Sequence, residues 1–252
     1  MKSTSLSNII KTIRLVEDRF RAVEEIKALV YNKEWRADEV HYIQKAMEKH
    51  YWLFGEKYQL VTAAEPKFEM ALRRFLYMNS GVDEGRVTID DPDKLKEMDI
   101  FAVRQNYLIE TIDSIVLELK APHISIGAKQ LEQLRKYMRL IRKEARFNAQ
   151  NMNWEFYIIG RKISSDGAVE AEYDNAKGHG EKYLIHSSGG IKAYVMTWED
   201  VFNSFELRHN FINSKLQLER EIIASSAENR DDALQNLSSS TAVQPPEIIL
   251  PS

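Results

Sequence analysis

Not one cysteine occurs in the 252 residues. That excludes disulfide frameworks, thiolate zinc centres and cysteine nucleophiles, and it fits a reducing compartment, so a cytoplasmic protein is expected. Long apolar runs are missing too: no stretch of the sequence approaches the roughly 18 apolar residues that cross a bilayer, and no membrane partner is expected. Lys2, Lys11, Arg14, Glu17, Asp18, Arg19 and Arg21 interrupt the first thirty residues, which leaves no apolar core for a signal peptide. Nor is there an excess of basic charge, the formal net charge being −3. The distribution says more than the sum. From Glu221 to Ser252 five acids face one base, so the preceding 220 residues come to about +1, and Lys129 to Arg146 holds seven bases and two acids. The balance permits a nucleic-acid-binding face without requiring one. With 44% hydrophobic and 10% aromatic residues, the chain has ample material for a buried core.

Periodicity divides the chain. Ile9, Ile13, Val16, Phe20, Val23, Ile26 and Val30 recur at three and four, which predicts a helix over 5–31. Asp38 is placed to cap a second helix with Tyr42, Ile43, Ala46 and Met47 inward and a stop near Gly55; His50 to Gly55 is an aromatic cluster suited to packing. A third helix is predicted over 67–78, followed by a turn-rich acidic stretch over 82–92. Strands are then predicted at Met98–Val103 and Ile112–Leu119, joined through a polar stretch from Arg104, and Pro122 ends the second. A helix of about twenty residues follows Gly127 and runs to Asn148, with Leu131, Leu134, Tyr137, Met138 and Ile141 as its apolar stripe. Trp154–Ile163 reads as a buried strand, and Lys182–His186 with Ile191–Trp198 as a hairpin across Ser187–Gly190. A last helix runs from Glu199 past Leu218, and a polar tail follows. The expected organisation is an N-terminal helical extension (1–35), an α/β domain (36–222) and a disordered acidic, proline-containing tail (223–252). The apolar stripes of the first and last helices favour assembly with further copies of the chain.

The segment that carries chemistry is Ile115-Val116-Leu117-Glu118-Leu119-Lys120-Ala121-Pro122. Strand alternation puts Glu118 and Lys120 on one side with Val116, and Leu117 and Leu119 on the other, toward the core. Two charges in an apolar strand are costly unless compensated, and a divalent cation beside the carboxylate compensates them. Metal-dependent phosphodiester hydrolysis uses such a group: two carboxylates and a backbone carbonyl, here that of Leu119, hold Mg²⁺ or Mn²⁺, and a lysine orients water or stabilises charge on the phosphate. Asp113 stands five residues before Glu118, an odd separation that turns it to the other face. Asp99, at the start of the preceding strand, is the favoured second carboxylate if the two strands run antiparallel.

Asp99 followed nineteen residues later by Glu118-x-Lys120 resembles the signature of PD-(D/E)xK nucleases, with Met98 where proline is usual. Glu118-Leu119-Lys120-Ala121-Pro122 is similar to the form found in their RecB-like and Shedu-like branches, and Gln133-x-x-x-Tyr137 matches the Q-x-x-x-Y motif of several branches. The segments Ile43–Gly55, Ala193–Asp200 and Leu207–Phe211 look like their counterparts in Shedu-type anti-phage nucleases, a likeness spanning roughly 38–220. The resemblance implies a restriction-endonuclease-like core, a mixed sheet flanked by helices with helical extensions at both ends. It also implies Mg²⁺-dependent cleavage of DNA in defence against phage, with Asp99, Glu118 and Leu119 at the metal. Lys120 would act on the attacking water, and Gln133 and Tyr137, on one helical face, would support substrate geometry and touch the DNA backbone.

Blander readings compete. Glu118 and Lys120 on an edge strand would merely pair in solvent. Lys129, Lys136, Arg139 and Lys143 share one helical side, either an ordinary solvated face or a stripe for DNA phosphates. Glu39 and Glu48 are candidates for a supporting acid, and His123 lies near the expected site; each is also an ordinary surface or loop residue. His179 and His186 lack metal-ligand spacing, and Gly178-His179-Gly180 lacks the strand-to-helix setting of a phosphate loop. A repair nuclease, or a catalytically silent nucleic-acid-binding or regulatory module of the same fold, are the alternatives to a defence nuclease.

Overall fold

A strand covered on both faces must be apolar almost throughout, because successive side chains point to opposite sides. Residues 115–119 come near that composition, Glu118 apart, and in the computed structural model they end β3 (Thr111–Leu119), buried at every position from Ser114 onward. The structure describes residues 6–32, 39–55, 59–63, 70–75, 99–106, 111–210 and 214. Within a mixed six-stranded sheet, β3 has β1 (Gln59–Ala63) and β2 (Ile100–Asn106) to one side. To the other lie β5 (Met152–Gly160), β8 (Ile191–Thr197) and β7 (Leu184–Ser188), in that order. β2 runs antiparallel to both β1 and β3, β3, β5 and β8 run parallel, and β7 returns antiparallel on β8. A small parallel pair, β4 (Ser125–Ile126) with β6 (Lys162–Ile163), stands apart. The helices are α1 (Leu6–Tyr31), α2 (Glu39–His50), α3 (70–75), α4 (Ala128–Lys143), α5 (Ala168–Ala176) and α6 (198–210). This is an α/β architecture with helices against a mixed sheet. Among the described residues no helix is long and apolar enough to cross a membrane.

Parallel neighbours need a crossover, and α4 supplies the one between β3 and β5. Its apolar stripe, Leu131, Leu134, Tyr137, Met138 and Ile141, is buried as its spacing predicts, and it packs with Val116, Phe156 and Ile158. Trp154 anchors this layer. Its ring lies 5.6 Å from those of Phe75 and Phe101, and its indole N–H donates to the Phe147 carbonyl at 2.8 Å. Truncating such a residue to alanine costs about 3–5 kcal/mol. On the opposite face Tyr157 stacks on Tyr194 at 4.7 Å, and Phe54 of the aromatic cluster reaches Tyr157.

Several expectations are corrected. The face bearing Glu118 belongs to the larger core cluster through Val116, so Leu117 and Leu119, although buried, do not mark the only core side. Arg104–Asn106 continue β2, paired with Asp113, Ile112 and Thr111, because the ladder runs on past the apolar residues. Residues 154–163 are not one strand: β5 ends at Gly160, and the chain shifts at Arg161 to pair β6 with β4. α4 stops at Lys143, short of Asn148, where the chain turns to bury Phe147. Tyr42 is 57% exposed, not inward. α5 was not anticipated. The Asp38 cap, residues 67–69 and 76–98, the boundaries expected after 35 and 222, and the tail lie outside the described residues.

Two compact units are present. Residues 24–203 contain the sheet. In the other, the described parts of 1–23 and 204–252, Phe20 meets Phe205 edge-on at 5.1 Å, and Phe205 stacks on a buried His209.

Candidate active site

β3 is the third strand of six, so Glu118 and Lys120 do not sit on an exposed edge. The β2–β3 register pairs Ile100 with Leu117, which brings Asp99, one residue earlier, opposite Glu118. Asp99 is 8% exposed and its Oδ2 accepts the backbone N–H of Leu119 at 2.5 Å. Asp99 therefore lies against the residue whose carbonyl was the expected third oxygen. Asp113 is turned away, as alternation requires; its Oδ1 accepts from the Asn153 amide at 2.9 Å.

Glu118 is the hub. Its Oε1 accepts from Lys120 Nζ at 2.6 Å and from Gln133 Nε2 at 2.6 Å, and its Oε2 receives the Tyr137 hydroxyl at 3.4 Å. Gln133 completes the ring: its carbonyl accepts from Lys120 Nζ at 2.8 Å, and its amide also donates to the Tyr137 oxygen at 3.2 Å. Both amide hydrogens and the amide oxygen are thus used, which fixes the side chain's orientation. The side chains of Glu118 and Lys120 are only 8% and 12% exposed, so the pair is held in low dielectric. The network exists because α4 follows β3 in the crossover and its four-residue spacing puts Gln133 and Tyr137 on the side facing Glu118.

Tyr137 is fully buried, with its hydroxyl on the Glu118 and Gln133 side of the network and no surface exposed on α4. Burial raises its phenol far above the ordinary range; the charges of Glu118 and Asp99 add to this and the Gln133 hydrogen bond opposes it. The hydroxyl remains a proton-bearing donor to Glu118. Lys120, by contrast, spends two of its three N–H bonds on Glu118 and Gln133 among the described residues.

Neither a family model, nor a curated protein, nor a solved structure matches the chain.

No group of three or more histidine, aspartate or glutamate side chains able to hold a metal occurs among the described residues. The donor set at β3 is of another kind: two carboxylates and a main-chain carbonyl, all hard oxygens, which suits Mg²⁺ or Mn²⁺ better than zinc. Both carboxylates are buried, a costly arrangement that a divalent cation would offset. By donor chemistry alone, these oxygens would suit such an ion.

The remaining candidates scatter. His123 is exposed in the turn after Pro122, and Glu48 is half-buried on α2; the Glu39 side chain lies outside what is described. Lys129, Arg139 and Lys143 are exposed along α4 and Lys136 is half-buried, while Arg139 is already paired with Glu132 at 3.2 Å. His179 is exposed, and His186 lies against Arg142. The sequence reading missed Asp166. Its Oδ2 accepts from Ala128 N at the start of α4 and its Oδ1 from Ala168 N at the start of α5. A Cβ on Gly127 would stand 2.3 Å from that carboxylate, so glycine is needed there for the approach. The signal available was Ser165-Asp166-Gly167 ahead of an alanine- and glutamate-rich segment, a helix start.

Proposed function

We propose that the chain is a metal-dependent DNA nuclease of the PD-(D/E)xK type. The observation that carries this reading is the buried Glu118–Lys120–Gln133–Tyr137 ring at the end of β3, with Asp99 bound to the next main-chain N–H. Asp99, Glu118 and the Leu119 carbonyl would hold Mg²⁺ or Mn²⁺, which when bound polarises the phosphate and lowers the pKa of a water. Gln133 and Tyr137 keep the Glu118 carboxylate in place. The third N–H of Lys120 is directed to the attacking water or to a phosphate oxygen, where an ammonium stabilises the charge that develops. Lys129, Lys136 and Lys143 along α4 supply the cations for the DNA backbone. The setting in anti-phage defence rests on the Shedu resemblance of the sequence segments. Assembly with further copies belongs to the same proposal; exposed Leu15 and Leu207 supply apolar surface for it, and sedimentation velocity tests it.

One observation favours the alternative of a silent binding module: Glu118 Oε1 is already satisfied by Lys120 and Gln133, as in a purely structural network. Incubating the protein with plasmid and linear DNA, with Mg²⁺ and with chelator, separates the two. Cleavage that needs Mg²⁺ and disappears in Glu118→Ala and Lys120→Ala supports the nuclease. Salt-dependent binding without cleavage supports the module.

A further inference from the structure

Across α4 from Gln133 and Tyr137, Arg135, Arg139 and Arg142 succeed one another at spacings of four and three, so they share the opposite side of the helix. They line a cavity of about 270 Å³ together with Glu172 of α5 and His186 of β7, over a floor that includes Met138. Two of the guanidinium groups are held in place. Arg135 Nη2 donates to Glu172 at 2.5 Å, and Arg142 Nη2 lies 2.6 Å from His186 Nε2. Burial and the neighbouring Arg142 push the His186 imidazole below its usual range, and because a guanidinium is a donor only, Nε2 is the acceptor of this hydrogen bond. Glu172 is the lining carboxylate and Glu132, beside the groove, pairs with Arg139 at 3.2 Å and Arg135 at 3.8 Å, so three guanidiniums meet two carboxylates and Arg142 is anchored by a ring nitrogen instead of an acid.

We propose that this groove is a phosphoryl-anion site, separate from the carboxylate centre, in which Arg135 and Arg142 grip opposite sides of one phosphate with Arg139 at the rim. Guanidinium groups fixed in advance suit this task, since their planar forks match phosphate oxygens and little side-chain freedom remains to be lost. The chemistry recognised is the same whether the phosphate belongs to a nucleic-acid backbone or to a small phosphate-bearing molecule. The site does not depend on the nuclease reading, because no residue of the Glu118 ring lines it.

Calorimetric titration with inorganic pyrophosphate, in chelator so that no divalent ion can recruit it to Asp99 and Glu118, tests the proposal. The expected result is saturable binding that Arg142→Ala and Arg135→Ala each weaken by at least about tenfold. Arg142→Lys, which keeps the charge but not the fork, also weakens it, and Lys45→Ala, exposed on α2 and outside the groove, does not. All these side chains are at least partly exposed, and circular dichroism verifies that each variant is folded. A duplex oligonucleotide distinguishes the sources: displacement by pyrophosphate assigns the site to backbone phosphate, and simultaneous binding assigns it to a free anion. Absence of binding up to about 1 mM pyrophosphate, or equal affinity in Arg142→Ala and Arg135→Ala, overturns the proposal.

Discussion

Glu118 and Asp113 stand five residues apart on one strand, and the polar groups around them are organised differently. At Glu118 a lysine, an amide and a phenol close a ring around the carboxylate, and the side chain is 8% exposed. At Asp113, half-buried on the other face, the Asn153 amide is the partner, and Asp113 lines a cavity of about 340 Å³ with Glu155 and Lys192. Nearby, Glu155 accepts from the Tyr157 hydroxyl, and Lys192 pairs with Glu181 on the surface. The second group is partly open to solvent, whereas the first is buried and depends on each of its members. A buried pair gains from its partner only while the partner remains, and losing one member leaves an uncompensated charge.

That contrast is broken most severely at Lys120. Lys120→Ala should lower the unfolding free energy by about 3–5 kcal/mol, read from urea denaturation, because Glu118 would stay buried without its cation. Under the nuclease reading, cleavage of DNA should fall by about 10²–10³-fold in single-turnover assays of the same variant, the size of effect seen when a transition-state charge stabiliser is removed. Asp113→Ala should change cleavage by less than about threefold, well under 1 kcal/mol of barrier; a large loss there would remove the distinction between the two acids. Next in size, Mg²⁺ should raise the melting temperature of the parent protein and Asp99→Asn should abolish that rise, since ligand binding to the native state alone appears as added stability. An equal rise in both proteins would count against Asp99 as a metal ligand. Tyr137→Phe should cost about 1 kcal/mol of stability, the ordinary worth of one hydrogen bond. It should not introduce a new pH dependence near neutrality, because the phenol is held protonated far above that range.

The smallest effect lies on the open side, and it runs opposite to intuition. Burial raises the carboxyl pKa of Glu155, with Asp113 and Glu181 adding to this and Tyr157 and Lys192 opposing. The folded protein therefore holds that proton more tightly than the unfolded chain. Its contribution to stability is complete at acid pH and lost as pH rises through the raised range. Glu155→Gln should be more stable than the parent near neutral pH, with the gain shrinking toward about pH 4, as two denaturation series would show.

Much of the closed side was readable from residue order alone, since its determinants are local. Alternation along β3 separated Asp113 from Glu118, the antiparallel return from β2 brought Asp99 across, and four-residue spacing put Gln133 beside Tyr137. What escaped was long-range. Arg104–Asn106 look like a turn until Thr111 pairs with Asn106. Tyr137 was legible as core from its place in the apolar stripe, but its hydroxyl reaching Glu118 on another element was not. The arginine groove joins residues from α4, α5 and β7 that are up to 55 positions apart, so no sequence window contains it.

One exposed turn has reach beyond its own surroundings. The Asp166 carboxylate divides its two oxygens between the first turns of α4 and α5. Both helices are therefore referenced to a single datum: one carries the glutamine and tyrosine of the carboxylate ring, the other the glutamate that steadies Arg135. Shifting that datum, by substituting Asp166 or by lengthening the 164–167 turn, would displace both assemblies in the same direction. The two proposed sites are chemically separate, yet one carboxylate bears on the alignment of both.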